Sequence, residues 1–481
     1  MSNIKKKLIS GVIWEAFGRY SALGIQFIVT IIIARILTPT EFGIIGLLTV
    51  FIALGQIFLD SGFSQALIQK KETSEVDLSS VYFLNMIVGI LLYLILFFSS
   101  PFIAEFYLLP DLTNYARVVF LIIPINSFGL IQNVIIQKEL AFKKTAMANM
   151  ISALFSGIVG IGMAYSGFGV WALVGQQISL HSSRTLLYII QMRWVPKYTI
   201  STKAIKELFA FSMNLMLHSV VNTTMKNIYA LVIGKFFAVS QVGYYNQADK
   251  FQEISAGTIS QVVLKVSFPA LAQKIDEPLY LRGAYVKIFA TTIFFVAPLM
   301  VFLMCVAEPL FRFLLTEKWL PAVPYFQILC IYGMLLPTLQ ISYNLYKLFK
   351  KGRFLLFIDS FRHLLVIISI FFTIKFGIEY MLFGLVLCTV VMTILNLLKS
   401  GALISLSLLD QLKSVFPYYL ISGLVGVLVY FLPKFDSDIL TVCFSGVIFI
   451  SCYLLISKFA KLQGYAELMA FTKSIKTKIK K

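Results

Sequence analysis

Charged residues are scarce in this chain. Only 13% of its 481 residues are Asp, Glu, Lys or Arg, and the 22 acidic residues are outnumbered by 41 basic ones. Histidine occurs 3 times and cysteine 5 times. Soluble globular domains carry about 25% charged residues. The scarcity therefore excludes a water-soluble enzyme or binding module of this size.

Catalytic and metal-binding motifs are also missing from the sequence. There is no HExxH, GxSxG, P-loop or paired-cysteine spacing, and the cysteines lie in apolar segments. The longest gaps expected outside the cell, 101–113 and 308–321, leave little room for an external enzyme domain. These absences disfavour an enzyme, and we expect no cofactor or metal.

Long apolar runs make up most of the chain instead. The chain is 59% hydrophobic and contains 44 Phe, and runs long enough to cross a bilayer recur from end to end. We predict an all-α, polytopic membrane protein with about fourteen transmembrane helices. The predicted spans are 9–36, 41–62, 78–100, 114–137, 145–166, 168–191, 207–234, 240–271, 283–308, 322–346, 354–375, 378–399, 413–432 and 438–457.

Lysine and arginine accumulate in alternate gaps between these spans. One set contains most of the cations, including the N-terminal Lys5 to Lys7 and the tail from Lys458 to Lys481. By the positive-inside rule, both termini are cytoplasmic and the span count is even. This pattern explains the formal net charge of +19 by membrane topology, without a nucleic-acid partner. The opposite gaps hold few cations: Arg35, Arg117, Lys235, Arg312, Lys318, Lys375 and Lys434.

A weak internal repeat divides the chain. ARILTPTEFG, at 34–43, aligns with GKFFAVSQVG, at 234–243, so that Arg35 matches Lys235 and Gly43 matches Gly243. Such a repeat predicts two pseudo-symmetric six-helix lobes with two extra C-terminal helices. We assign residues 1–197 to the N-lobe, 198–402 to the C-lobe, and 403–481 to spans 13 and 14 with a basic tail. Arg35 and Lys235 become candidates for an external gate, or for simple anchoring of two helix ends.

Polar side chains form stripes on three spans that flank the repeat. Charges inside a bilayer span are costly and normally face a cavity or one another. Such residues could line a binding cavity between lobes, or could instead hold helices together. The stripes contain Glu15, Arg19, Gln26 and Thr30 on span 1; Asn214, His218, Asn222 and Lys226 on span 7; and Asp249, Glu253 and Ser260 on span 8, with Lys250 and Lys265 nearby.

The residue types in these stripes indicate the ligand. Arg and Lys favour an anionic group such as phosphate, whereas amides, hydroxyls and aromatic rings suit a sugar. An amphiphile with a phosphate and a sugar portion fits both. Glu15, Asp249 and Glu253 could instead bind H⁺ or Na⁺ that drives exchange.

Five strings identify a family resemblance: GVIWEAFGRY, ARILTPTEFG, DSGFSQALIQKKE, NIYALVIGKFF followed by VGYYNQADK, and FLLTEKWLPAVPYFQIL. They resemble polysaccharide flippases of the Wzx type, in the lipopolysaccharide and colanic-acid exporter branch of the MOP transporter superfamily. The resemblance covers spans 1 to 12 in order. Its motifs add Asp60 to the cavity charges, which would be Glu15, Arg19, Asp60, Lys226, Asp249 and Lys250.

The resemblance implies a transporter in the bacterial inner membrane. It would move an undecaprenyl-pyrophosphate-linked oligosaccharide from the cytoplasmic to the periplasmic leaflet by alternating access, for O-antigen, capsule or exopolysaccharide synthesis. A polysaccharide polymerase and a chain-length regulator are possible partners. The alternatives are a multidrug-type, ion-coupled antiporter, which should have a more apolar pocket, and a membrane-bound glycan polymerase or ligase. The expected cavity residues are Glu15, Arg19, Gln26, Asp60, Asn222, Lys226, Asp249, Lys250 and Glu253.

Overall fold

The computed structural model describes residues 2–60, 62–70, 72–273 and 275–479. Side chains within the helices are described except at 2–9, 12, 203–204, 207–208, 210–212, 214–215, 261–266, 270, 471–472 and 474–479. The described residues form helices and connecting turns, without a β-strand. The chain separates into two compact units, residues 1–243 and 244–481.

The first unit consists of ten helices and the first turn of an eleventh, counted over the described residues. They are α1 (Ser2–Ile36), α2 (Pro39–Asp60), α3 (Phe63–Gln69), α4 (Glu75–Phe106), α5 (Leu112–Val119), α6 (Ile122–Lys138), α7 (Phe142–Tyr165), α8 (Val170–Met192), α9 (Thr202–Lys226), α10 (Ile228–Phe236) and the start of α11 (Val239–Gln252).

Local sequence signals fix several of these helix ends. At the start of α4, the Ser74 hydroxyl accepts from the Asp77 N–H at 3.1 Å and the Asp77 carboxylate accepts from the Ser74 N–H at 3.0 Å, a reciprocal capping box. In the first turn of α2, Glu41 accepts hydrogen bonds from both the backbone N–H and the hydroxyl of Thr38, the residue before the helix. These bonds satisfy donors that a helix start leaves without partners. These two helices therefore begin where a short polar side chain precedes an apolar run.

Small residues bring α1, α7 and α8 close together. A Cβ atom on Gly18 would collide with Ala146, and one on Gly157 would meet the Val29 side chain. α1 packs on α7, and α7 on α8. Helices inside a membrane gain their packing energy from such close van der Waals contact, because lipid tails offer no hydrophobic driving force between them. The glycines on these helices thus determine how closely the bundle packs.

The segment between α8 and α9 is extended and lies along the first turns of α4. The backbone N–H groups of Lys197 and Ser201 donate to the buried hydroxyls of Ser79 and Ser80, at 2.9 and 2.8 Å. The Trp194 indole N–H donates to Glu75 Oε2 at 3.1 Å. This segment, which contains the predicted lobe boundary between residues 197 and 198, is therefore fastened to α4 up to Ser201.

The second unit continues α11 and adds nine helices, again counted over the described residues. They are α12 (Thr258–Ala272), α13 (Pro278–Cys305), α14 (Ala307–Leu315), α15 (Val323–Leu348), α16 (Gly352–Thr373), α17 (Ile378–Leu403), α18 (Leu408–Tyr430), α19 (Asp438–Phe459) and α20 (Gln463–Ile479). A π-helical turn, Glu253–Gly257, joins α11 to α12.

Aromatic side chains form the core of the second unit. Tyr285, Phe289 and Phe294 of α13 are buried together with Tyr418 of α18 and Tyr453 of α19. The polar tips of these rings are satisfied, since the Tyr453 hydroxyl donates to the Phe294 carbonyl oxygen at 3.0 Å. Buried tyrosines normally require such a partner. The extra C-terminal helices α18 and α19 are thus part of this core.

Each predicted span coincides with helix in the structure. Eleven helices among the described residues are long and apolar enough to cross a membrane, which confirms the all-α polytopic fold. The predicted spans at 168–191, 207–234 and 240–271 are also helical but fall outside that set, so the count of fourteen stays a prediction. The two gaps expected as external loops contain helix: α4 extends to Phe106, and α14 occupies Ala307–Leu315.

Candidate functional site

The two copies of the sequence repeat contact each other within the first unit. A Cβ atom on Gly43 would collide with the backbone carbonyl oxygen of Val239, and one on Gly243 would collide with that of Pro39. The register that aligns Gly43 with Gly243 also aligns Pro39 with Val239. The contact is therefore reciprocal, as expected of a two-fold relation. It joins the first turns of α2 and α11 by direct backbone approach.

The predicted gate cations lie beside this contact and are both exposed. The Lys235 ammonium donates to the Phe106 carbonyl oxygen at 2.6 Å and lies 4.1 Å from the centroid of the Phe106 ring. A cation at this position stabilises the C-terminal end of α4. In this structure Lys235 anchors a helix end, and a gating role for Lys235 and Arg35 stays a prediction.

A polar cavity of about 380 Å³ opens at the opposite end of α2. Its wall is formed by the last turn of α2, by α3 and by α9. Asp60, predicted from the family resemblance, is part of this wall, and its Oδ1 accepts from the Ser64 N–H at 3.1 Å. The lining residues are Gln56, Ile57, Asp60, Gly62, Gln65, Met216, His218 and Ser219.

The stripe predicted on span 7 reaches this cavity. His218 lines it, and the Asn222 amide nitrogen lies 3.0 Å from His218 Nδ1, one turn further along α9. Lys226 follows after another turn and is exposed. A single turn residue, Asn227, separates the end of α9 from the start of α10. Its N–H still donates to the Thr223 carbonyl oxygen at 3.2 Å, so the helix is irregular there but remains hydrogen-bonded. Asn214, the first residue of the predicted stripe, lies outside the side chains that the structure describes.

The side chains of the polar stripe on α1 are only partly buried. Arg19 is exposed, whereas Glu15 and Gln26 are half-buried. The Gln26 carbonyl oxygen accepts from the Thr30 hydroxyl at 2.7 Å. Glu15 and Arg184 both lie within electrostatic range of the Tyr188 hydroxyl on α8. Glu15 thus belongs to a polar region shared by α1 and α8.

In the second unit, the charges predicted on span 8 lie just before a backbone irregularity or at its first residue. Asp249 and Lys250 end α11, and Glu253 begins the π-helical turn. Asp249, Glu253 and Arg362 all lie within electrostatic range of the Tyr332 hydroxyl on α15. Single π-helical turns are rare and are frequently found at functional sites. Lys265, also predicted near this stripe, lies outside the described side chains.

Nearby polar residues of α15 and α16 complete this cluster. The Tyr343 hydroxyl donates to Asp359 Oδ1 at 2.8 Å, and Arg362 Nη2 lies 3.8 Å from the same oxygen. Among the described side chains, no group of three or more His, Cys, Asp or Glu residues is placed to hold a metal ion.

Sequence reasoning missed the cavity residues Gln56 and Gln65. Gln56 lies inside a predicted apolar span, and Gln65 lies on a helix of only seven residues. A signal was available, since Gln56 and Asp60 are one helical turn apart and must share a face.

Comparison with known proteins agrees with this architecture of long apolar helices and intramembrane polar clusters, which is typical of polytopic transporters. A family model described as "Polysaccharide biosynthesis protein" matches residues 32–324, which is more than half of the chain. The chain belongs to this family. The resemblance predicted from the five sequence strings is thereby confirmed.

Proteins that are similar to this chain over most of its length are also named as biosynthesis proteins. The Bacillus subtilis teichuronic acid biosynthesis protein TuaB is 28% identical over 439 residues, covering 89% of this chain and 90% of that protein. The Escherichia coli lipopolysaccharide biosynthesis protein WzxC is 26% identical over 337 residues, covering 69% of this chain and 68% of that protein.

Solved structures agree on the fold. The lipid II flippase MurJ, in an inward closed conformation, has a TM-score of 0.76 at 18% identity and covers 96% of this chain and 100% of its own. An inward-facing multidrug resistance transporter of the MATE family has a TM-score of 0.62 at 15% identity, covering 79% of this chain and 94% of its own. The chain is therefore a multi-pass membrane protein of this fold.

Proposed function

We propose that the protein is a flippase for a lipid-linked oligosaccharide. It moves an undecaprenyl-pyrophosphate-linked repeat unit from the cytoplasmic to the periplasmic leaflet of a bacterial inner membrane, for the assembly of a surface polysaccharide. The family assignment and the names of TuaB and WzxC support this class of cargo. The fold shared with MurJ supports the transport mode.

One observation carries the proposal: predicted cavity charges coincide with irregular turns in the helix backbone. α9 stops at Lys226, and the π-helical turn after α11 starts at Glu253. Transporters place substrate and ion sites at discontinuous membrane helices, where freed backbone groups and charges can replace ligand hydration. Helices that only packed against lipid would need neither the charge nor the break.

The reciprocal contact of the two repeats supports alternating access. At the predicted external side, the first turns of α2 and α11 meet backbone to backbone, with no side chain between Gly43 and Val239. We propose that this contact closes the external entrance and separates when the headgroup leaves. The polyprenyl tail can remain in lipid throughout, because only the phosphates and sugars are too polar to cross hydrocarbon.

Topology, coupling and partners follow from the same proposal. Both termini are cytoplasmic, in agreement with the distribution of Lys and Arg. Asp249 and Glu253 are the carboxylates that we assign to coupling with H⁺ or Na⁺, since they flank the π-helical turn. A polysaccharide polymerase and a chain-length regulator would receive the flipped unit on the external side.

A deletion strain tests the proposal. We expect lipid-linked repeat units to accumulate in the cytoplasmic leaflet, where an external glycan-cleaving enzyme cannot reach them, and we expect the wild-type gene to restore surface glycan. Normal surface glycan in the deletion strain, together with increased retention of cationic drugs, would favour the multidrug-type antiporter instead.

A further inference from the structure

The cavity between α2, α3 and α9 has walls that match one kind of ligand. Its volume of about 380 Å³ lies in the range of small-molecule sites, which extends from about 300 to 1,000 Å³. Carboxamide, carboxylate, imidazole and hydroxyl groups line it, from Gln56, Gln65, Asp60, His218 and Ser219. Ile57 and Met216 add apolar surface.

Gln56 presents an unfulfilled hydrogen-bonding group. Its Nε2 is buried and has no hydrogen-bond partner among the described residues. A buried amide nitrogen without a partner costs free energy. The amide nitrogen makes no hydrogen bond that would be lost if the side chain turned toward the cavity. A ligand acceptor could therefore supply the missing partner.

Asp60 determines the charge that the cavity tolerates. One of its oxygens, Oδ1, accepts the Ser64 N–H, which leaves Oδ2 for a ligand. Among the described lining residues there is no Lys or Arg to balance this carboxylate. An anionic group placed beside Asp60 would therefore be repelled.

We propose that this cavity binds one sugar residue of the carried headgroup, a neutral or amino sugar, and that it excludes the pyrophosphate and uronic acids. The inference rests on the proposed function and names the part of the cargo that this site takes. Amides donate to and accept from vicinal hydroxyls, and a carboxylate accepts from them, while the apolar surface packs against the C–H face of the ring.

The pyrophosphate has a separate partner on the same helix. Lys226 lies eight residues beyond His218 on α9, about 12 Å along the helix axis at 1.5 Å per residue. Lys226 is exposed and cationic, as an anion site requires. α9 thus presents a sugar-binding end and an anion-binding end.

Saturation-transfer NMR on the purified full chain in detergent tests this assignment, with methyl glucoside, methyl glucosaminide and methyl glucuronide as probes. We expect the two non-acidic probes to give signals at least about fivefold stronger than the glucuronide, a difference of about 1 kcal/mol. Asp60→Asn should bring the glucuronide to the level of the glucoside. Asn retains a side-chain oxygen that can accept from the Ser64 N–H.

Three further variants separate recognition from folding. Gln56→Leu should raise the Tm, because it removes a buried amide without a partner, and yet reduce the glucoside signal several-fold. A merely structural role for Gln56 would lower the Tm. Gln65→Ala should weaken the signal, whereas Gln69→Ala should not, because Gln69 is exposed one turn further along α3 and is not part of the lining.

The outcomes distinguish this site from the proposed function. Equal binding of glucoside and glucuronide to the wild type, or an unchanged glucoside signal in Gln56→Leu and Gln65→Ala, overturns the sugar site even if the deletion strain shows a flipping defect. If the purified protein binds the sugars as expected but the deletion strain keeps its surface glycan, the flippase assignment alone is overturned.

Discussion

The two ends of α2 differ in how they meet their neighbours. At its first turn, Gly43 lies so close to the Val239 carbonyl oxygen that no side chain fits between them. At its last turn, Gln56 and Asp60 line a polar cavity of about 380 Å³. The same helix is thus sealed by backbone contact at one end and opens onto side chains at the other.

The difference separates two requirements of a transporter. A tight closure depends on the absence of a side chain, which only glycine provides at such a close backbone approach. Recognition depends on side chains placed around a space. Substitutions at the two ends of α2 should therefore fail in different ways, and four predictions test this, from the largest expected effect to the smallest.

The sealed end should be the most sensitive. Gly43→Ala and Gly243→Ala each introduce a Cβ atom where a backbone carbonyl oxygen already lies. Each should abolish surface glycan, a loss of well over about tenfold and thus of more than about 1.4 kcal/mol, at matched protein abundance. Because the two contacts are reciprocal, the two variants should behave alike. Glycan staining and immunoblotting measure both quantities.

Two other helical glycines are matched controls. A Cβ on Gly24 of α1 or Gly162 of α7 meets no atom within 4 Å. Alanine there should be tolerated, and by helix propensity should stabilise by up to about 1 kcal/mol. Normal glycan levels in Gly43→Ala and Gly243→Ala would disprove the sealed contact.

Removing the cations should impair transport without unfolding the protein. Arg19→Ala and Lys226→Ala should each abolish surface glycan assembly while the protein stays in the membrane, because an uncompensated pyrophosphate would no longer be bound. Lys206→Ala, at an exposed position near the start of α9, is the control and should have no effect. Wild-type levels of surface glycan in both alanine variants would show that these residues do not belong to the substrate-binding cavity.

Lys138 should stabilise the α3 wall of the cavity. Its ammonium donates to the carbonyl oxygens of Leu67 and Lys70 at 3.0 and 2.9 Å, and also to the Thr73 hydroxyl. Lys138→Met removes all three hydrogen bonds and should destabilise the protein by about 1–3 kcal/mol, measured as a lower Tm in detergent. Glu139→Gln, on the exposed neighbouring residue, should leave the Tm unchanged, and an equal Tm in both variants would contradict this role.

Lys235 should have the smallest effect. Lys235→Met removes a bond to the C-terminal carbonyl of α4 and a cation–π contact, together about 1 kcal/mol at an exposed site. Tm should fall slightly and surface glycan should stay within about twofold. Loss of glycan at unchanged Tm would instead support the gating role predicted for Lys235 and Arg35.

Much of the fold could be predicted from the sequence, because the length of the apolar runs and the polar gaps between them decide where helices cross a membrane. The predicted spans fall on helices of the structure even where, as on α9, polar residues dilute the apolar pattern. The repeat was also visible. Its alignment of Gly43 with Gly243 did not reveal that each glycine touches the opposite copy, because similarity between segments says nothing about their contact.

The candidate site was less predictable. His218 could be found because its stripe has helical spacing, but the break after Lys226 has no Pro or Gly to mark it. The π-helical turn at Glu253 inserts an extra residue, so a stripe projected at constant spacing loses its register beyond it. Ser260, projected onto that stripe, is buried and bonds to the Ala256 carbonyl oxygen.

Reconstitution tests the central claim most directly. Purified protein in liposomes that contain a fluorescent undecaprenyl-pyrophosphate-linked oligosaccharide should move the labelled headgroup between leaflets, measured by protection from a membrane-impermeant quencher. We predict rapid loss of protection with the wild type and Gly24→Ala, and retained protection with Gly43→Ala and Lys226→Ala. Protection retained with the wild type itself, in liposomes that accumulate a cationic drug, would contradict the account.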